Sequence, residues 1–224
     1  ASTPARFQRP DGTSAFRPRH SALYSSTELL EAETRLLERS RTMTGPTLPL
    51  EVIEGVTAAP DRDGRMLGPD QADALTKIAV SGRVLDLLVG PAGTGKTTAM
   101  NALRRAWEAE HGAGSVVGLA PSVVAAEVLA DDLGIKTENT ARWWTLYNLG
   151  QASFRAGQLV IIDEASLAGT LSLDRITKIA EAADAKVLLV GDYSQLQAVE
   201  AAGAFGLLAG DRDDTPELST IYRF

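Results

Sequence analysis

The run Gly90-Pro91-Ala92-Gly93-Thr94-Gly95-Lys96-Thr97-Thr98 fits the pattern G-x-x-x-x-G-K-[ST], and its flanks restrict the chain to one class of fold. Glycines at 93 and 95 allow backbone conformations that residues with a Cβ avoid, so successive N–H groups can line a concave anion nest at a helix start. Lys96 would bring a point charge to the β- and γ-phosphates of a nucleotide, and the Thr97 hydroxyl would ligate Mg²⁺. Upstream, Val84 to Val89 is a short apolar run of the kind a buried parallel strand requires. Downstream, Met100, Leu103 and Trp107 recur at helical spacing from Thr98 to Glu110, with Gly112 just past the end. Strand, glycine loop and helix follow in the required order. A glycine turn in an unrelated α/β domain is the alternative, and Lys-Thr-Thr at the required place argues against it.

The same alternation continues along the chain. Strands are predicted at Ser115–Leu119, Leu159–Ile162 and Lys186–Val190. Helices are predicted from Pro121-Ser122 to Asp132 and at Thr140–Tyr147, Leu171–Ala182 and Ala204–Ala209, and residues 218–224 read as extended. These elements give an α/β domain with a mainly parallel sheet, in which ligands bind beyond the carboxyl ends of the strands. The glycine loop, Asp163-Glu164 and Gly191-Asp192 each follow a strand directly, so all three converge on one edge.

Before this domain, residues 1–22 are rich in Pro, Arg and Ser and read as a flexible linker or tail. Arg6, Arg9, Arg17 and Arg19 leave a phosphate-binding arm open as an alternative. Residues 23–65 read as a small helical and extended subdomain. Ser25 and Glu28 have capping-box spacing ahead of a helix over 27–41, and Leu48–Ala59 reads as a short strand or extended connector. Leu67 to Gln71 opens a further helix with Pro69 or Asp70 at its start. Residues 66–224 form the nucleotide-binding domain.

Asp163 and Glu164 supply the second half of the chemistry. A carboxylate at 163 would hold Mg²⁺ through water, and Glu164 would orient and polarise the attacking water as general base. A bare phosphate binder needs no such base, so Glu164 points to hydrolysis. Two solvated carboxylates at a strand end are the plainer alternative.

Composition narrows the setting. The chain has 224 residues, 44% of them hydrophobic, and no apolar run near membrane-spanning length, so no membrane partner is expected. It has no cysteine, which excludes disulfides and cysteine-ligated zinc and fits a cytoplasmic location. Two scattered histidines do not make a metal site. A net charge of −7 argues against nucleic-acid binding by the whole-molecule field, although a local groove remains compatible with it.

Several blocks then match one family in order. Leu159-Val160-Ile161-Ile162-Asp163-Glu164-Ala165-Ser166 resembles the second motif of superfamily 1 helicases, and Val190 to Val199 (VGDYSQLQAV) resembles the third. Leu218-Ser219-Thr220-Ile221-Tyr222-Arg223 resembles the start of the fourth. Gly118-Leu119-Ala120-Pro121-Ser122 with Ala125-Ala126 looks like motif Ia. The resemblance spans residues 23–224 and is greatest to the RecD-like branch, in particular the helicase part of TraI/TrwC-type (MobF) conjugative relaxases. Tyr24 to Glu33 is similar to a segment that precedes the motor in those proteins.

The resemblance implies a RecA-like P-loop NTPase domain, the first motor domain (1A) of a DNA helicase, with ATP and Mg²⁺ as cofactors. It also implies single-stranded DNA and other conjugation proteins as partners. By the same resemblance Gln71 reads adenine, Gln195 contacts the γ-phosphate or the attacking water, and Arg223 is an arginine finger. Gln195 as a helix cap and Arg223 as a surface charge are the plainer alternatives. For DNA, Ser122 and its neighbouring N–H groups would hold a backbone phosphate, and Trp143 and Trp144 would stack on bases. A tryptophan pair in a short helix is more often core, and at least one of the two is expected there.

The sequence departs from the family pattern in lacking the fifth and sixth motifs, the relaxase histidine triad and its tyrosine cluster. The second motor domain is thus absent, and the chain reads as a fragment expected to bind Mg-ATP weakly, hydrolyse it slowly at best and not unwind duplex. A RecD-like repair helicase and a non-motor nucleotide switch are the other readings.

Overall fold

The computed structural model describes residues 27–61, 64–192 and 203–221. Five parallel strands lie in the order β1-β5-β4-β2-β3: β1 Leu85–Val89, β2 Val116–Ala120, β3 Thr137–Asn139, β4 Leu159–Ile162 and β5 Lys186–Gly191. Every residue of β1, β4 and β5 is buried, as expected for central parallel strands covered on both faces.

Alternation along the strands divides the interior into two cores. Leu88, Leu159, Ile161, Leu188 and Val190 face a layer built from α2 (Leu50–Thr57), α3 (Pro69–Val80), α4 (Lys96–His111) and α5 (Val123–Leu133). Leu87, Val89, Val160, Ile162, Val187 and Leu189 face α1 (Thr27–Arg41), α7 (Thr170–Ala182) and α8 (Ala204–Gly210), with Trp143 of α6 (Thr140–Asn148) at the margin. The α/β fold class and parallel sheet expected from the sequence are present, with helix ends set by local chemistry. The Ser122 hydroxyl caps α5 by accepting from the Ala125 N–H, and α5 ends at Gly134 in the left-handed region (φ 62°).

One local expectation fails, and one strand was not foreseen. The segment over Leu48–Ala59, read as extended, contains the helix α2. Its Val52, Ile53 and Val56 suggest a strand, but Ile53 is buried against α4 and α3, so tertiary burial overrides β propensity. The strand β3 escapes the sequence altogether because Thr137-Glu138-Asn139 carries no apolar run. It exists through pairing with β2, Gly118 opposite Thr137.

The helix α1 packs against α7 through ions as well as apolar side chains. Arg39 donates to Asp174 Oδ1 at 2.6 Å and to Glu181 at 2.9 Å, and Arg35 Nη2 reaches Asp174 Oδ2 at 2.7 Å. Burial raises the Asp174 pKa, but the hydrogen bonds and charges of Arg35 and Arg39 outweigh it and hold the carboxyl below the usual range.

Candidate functional site

The glycine loop leaves β1 under restraint from both sides. The Val89 N–H donates to the Pro216 carbonyl at 3.0 Å, Leu218 N–H to the Val89 carbonyl at 2.8 Å, and Gly90 N–H to the Gly191 carbonyl at 3.1 Å. Gly93 (φ 83°) and Gly95 (φ 75°) take the left-handed turns that bring the chain into α4 at Lys96. Gly90 is required by space, since a Cβ there would stand 2.8 Å from Thr94 Oγ1. Thr94 is buried and its hydroxyl donates to the Pro91 carbonyl at 2.9 Å, while Ala92 and Gly93 are exposed at the tip. Lys96 Nζ donates to the carbonyls of Gly90 (2.7 Å) and Pro91 (3.1 Å), so its ammonium charge sits against the loop. Thr97 and Thr98, half-buried, line a cleft of about 540 Å³ with Arg65, Asn101, Arg105 and Asp132.

Asp163 and Glu164 follow β4 at the same edge. Asp163 Oδ1 accepts from the Glu164 N–H at 2.8 Å. Burial raises the Asp163 carboxyl above its usual range, and the charges of Glu164 and Asp132 add to that. The Glu164 N–H and the Lys96 charge oppose the shift without cancelling it. A carboxylate so placed gains from a cation. Glu164 takes φ 49°, ψ 35°, a left-handed conformation that is rare for a non-glycine residue.

No group of three or more His, Cys, Asp or Glu that could cage a metal occurs among the described residues. A half-buried carboxylate at the end of β4 and a hydroxyl in the first turn of α4 suit Mg²⁺, which keeps waters and phosphate oxygens as its remaining ligands.

Gln71 lies beneath the loop. Its Nε2 donates to the carbonyls of Thr94 (3.0 Å) and Gly95 (3.3 Å), and its Oε1 accepts from the Gly68 N–H (2.9 Å), with the residue only 3% exposed. Both ends of the amide are engaged by the protein. Sequence reasoning singled out Gln71 but read Asp70 only as a possible helix start; its Oδ2 accepts from Ser219 N–H (3.2 Å) and Thr220 N–H (3.0 Å). The available signal was an acidic residue in the first turn of a helix.

The remaining predicted residues lie elsewhere. Ser122 is exposed at the head of α5, where β2 ends. Trp143 is 7% exposed and stacked on Phe154 at 4.3 Å between ring centroids, so it belongs to the core. Trp144 is half-exposed in a furrow of about 480 Å³ between α6 and α7, with the Arg175 guanidinium 5.4 Å from its ring centre and Tyr147 and Lys178 beside it. Arg175 and Lys178 were not visible as partners of Trp144, because α6 and α7 are brought together only by the fold. Gln195 and Arg223 lie outside the described residues, as do Arg6, Arg9, Arg17, Arg19 and Ser25.

Comparison with known proteins agrees with this fold. A family model described as an AAA domain, AAA_30, matches residues 66–224. A probable conjugal transfer protein TraA of Sinorhizobium fredii is 35% identical over 206 residues, covering 92% of this chain and 18% of its own length. A conjugal transfer protein TraA of Agrobacterium fabrum is 32% identical over 219 residues, covering 97% and 19%. The chain therefore spans less than a fifth of these curated relatives. Among solved structures, the Pif1 helicase from Candida albicans aligns with a TM-score of 0.51 at 21% identity, over 70% of this chain and 41% of that one, a likeness of fold. By its sequence match, its glycine loop and its RecA-like parallel sheet, this chain belongs to the AAA_30 family of AAA domains.

Proposed function

We propose that this chain is the first motor domain of a superfamily 1 DNA helicase of the conjugative relaxase type, binding and hydrolysing Mg-ATP and contacting single-stranded DNA. The observation that carries this reading is the Asp163-Glu164 pair: a half-buried carboxylate that gains from a cation, followed by a carboxylate held in a strained turn, at the same sheet edge as Lys96. The printed names of the relatives favour conjugation over repair.

In this reading Lys96 exchanges its two carbonyl partners for β- and γ-phosphate oxygens, and the loop N–H groups hold the remaining oxygens. Thr97 and Asp163, the latter through water, would hold Mg²⁺, and the ion would supply charge neutralisation to the phosphates. Glu164 orients the attacking water and takes its proton. Gln195 and Arg223 complete the response to the γ-phosphate.

A DNA strand would meet Ser122 at the head of α5, where helix N–H groups favour a phosphate. Trp144 would stack a base, with Arg175 and Lys178 neutralising the strand beside it. Among the described residues no helix is long and apolar enough to cross a membrane. In the proposed role the chain would work in the cytoplasm with other conjugation proteins.

The test is Glu164→Gln in the full-length protein that carries this domain. ATP turnover with single-stranded DNA present should fall about 100-fold or more while Mg-ATP binding persists. Unchanged turnover, or turnover indifferent to DNA in the unmutated protein, would defeat the reading.

A further inference from the structure

We propose that the first turn of α3 is a latch on the phosphate loop, in which Gln71 positions the loop for any triphosphate and Asp70 ties it to the segment at residues 216–221. This rests on the reading of the loop as a nucleotide site, and it assigns Gln71 a role other than reading the base.

The geometry of the peptide unit carries the first half. In a trans peptide the carbonyl of one residue and the N–H of the next point in opposite directions. Gln71 Nε2 holds the carbonyls of Thr94 and Gly95 on the α3 side of the loop. The N–H groups of Gly95 and Lys96 therefore face the other side, as donors to an anion. Releasing the Thr94 carbonyl frees its peptide plane to rotate, so the Gly95 N–H loses its aim, whereas the Gly95 carbonyl still accepts from the Ala99 N–H at 3.0 Å. The Gln71 Oε1 is engaged by Gly68 N–H, in half of a capping box that a glycine cannot complete, so the amide itself is anchored. With both Nε2 hydrogens given to carbonyls, the buried amide has no donor left for a nucleobase.

The second half lies one residue earlier. Asp70 Oδ2 accepts from Ser219 and Thr220. Burial raises its pKa, but hydrogen bonds from Thr220, Gln71 and Ser219 outweigh that and keep the carboxyl below the usual range, so it is an anion at neutral pH. The segment it holds lies along the loop. Leu218 N–H donates to Val89, a Cβ on Gly90 would stand 3.1 Å from Leu218 Cβ, and one on Gly93 would stand 3.6 Å from Ile221 Cγ2. Adjacent residues of one helical turn thus grip the phosphate loop and the strand that passes it. Loop ordering by an anion is transmitted through α3 to Ser219 and Thr220.

The test measures affinity for Mg-ATP, Mg-GTP and Mg-tripolyphosphate by calorimetry in this chain and its Gln71→Glu and Gln71→Ala variants. Gln71→Glu keeps the acceptor toward Gly68 but sets an acceptor against two carbonyls. The latch predicts that all three ligands weaken by a common factor of about tenfold. Loss confined to ATP overturns the latch in favour of base reading. Failure of the unmutated chain to bind any of the three overturns the nucleotide reading and the latch together.

Amide exchange keeps the proposal testable if the Gln71 variants do not fold. Tripolyphosphate should slow exchange at Ser219 and Thr220 in the unmutated chain, and Asp70→Ala, which removes the acceptor, should remove that response. Exchange there that is indifferent to ligand, or a response that survives Asp70→Ala, overturns the coupling.

Discussion

The two ends of the central strands β1 and β5 each hold a lysine against two backbone carbonyls, and the two lysines do different work. At the amino end Lys186 Nζ donates to Ser81 (2.6 Å) and Arg83 (3.0 Å); at the carboxyl end Lys96 Nζ donates to Gly90 (2.7 Å) and Pro91 (3.1 Å). Lys186 is fully buried, with Asp86 at 3.4 Å. Asp86 in turn binds Arg212 at 2.8 Å, and Arg212 and Arg83 both reach Asp214. Lys96 is half-buried in a glycine turn, with no carboxylate within ion-pairing distance among the described residues. A charge closed into a network is committed to one structure. A charge resting on carbonyls that a ligand's oxygens can replace is available for chemistry.

The same contrast holds for backbone strain. Two non-glycine residues have positive φ among the described residues: Glu164 (49°) at the carboxyl edge and Asp184 (53°) just before β5 at the amino edge. The first carries the proposed general base. The second makes a tight turn whose carbonyl accepts from Gly157 N–H.

The sharpest way to break the comparison is Asp86→Ala, which leaves Lys186 and Arg212 buried without their shared carboxylate. It should destabilise the chain by about 3–5 kcal/mol in urea titration. Mg-ATP affinity at pH 7 should not change in the molecules that remain folded. A weakened affinity in the folded variant would mean the two ends are coupled.

Proton linkage at Lys186 comes next. Burial first, and then the charges of Arg212 and Arg83, lower its pKa from 10.5 to about 8, against the pull of Asp86. The folded chain releases this proton as pH rises through about 8, whereas the unfolded chain keeps it to the ordinary lysine range. Between those values the unfolded state binds more protons, so rising pH favours folding through this group, by up to about 3 kcal/mol. The stability of the unmutated chain relative to Lys186→Met should therefore climb between pH 8 and 10. Parallel stability profiles would show that Lys186 is not perturbed.

At the other end Lys96→Ala should weaken Mg-ATP binding by about 100-fold, as charge-assisted bonds to phosphate are lost, and leave the unfolding midpoint nearly unchanged. A large loss of stability would make Lys96 a second structural lysine. The smallest effect is the strain. Glu164→Gly and Asp184→Gly should each stabilise by about 1 kcal/mol in the same titration, and turnover should be lost in the first only. Equal loss of turnover in both would erase the distinction between the edges.

Much of the site was legible because its signals are local. The glycine pattern, the lysine and threonines after it, and an apolar strand running into Asp163-Glu164 are each contained in fewer than about a dozen consecutive residues, and the strand–loop–helix order follows from period and turn chemistry. Segments whose state depends on a distant partner were misread or missed. Leu48–Ala59 is helical because α4 and α3 cover Ile53, and Thr137–Asn139 is a strand because β2 lies beside it. Trp143 and Trp144 are adjacent and chemically identical, yet Phe154 takes the first into the core and Arg175 meets the second at the surface.

Gln71 marks the division most clearly. Residue type determined by itself that an amide with two donors and two acceptor lone pairs stands three positions into a helix, and that a phosphate loop and a carboxylate pair follow strands of one parallel sheet. Only the tertiary structure decided what that amide faces, which tryptophan is exposed, and that Asp70 and Ser219 meet across 149 residues of chain. The physical reason is range. Turn geometry and helical or strand period are set by neighbours in sequence, whereas burial and the choice of hydrogen-bond partner are set by whatever the folded chain brings within about 3 Å.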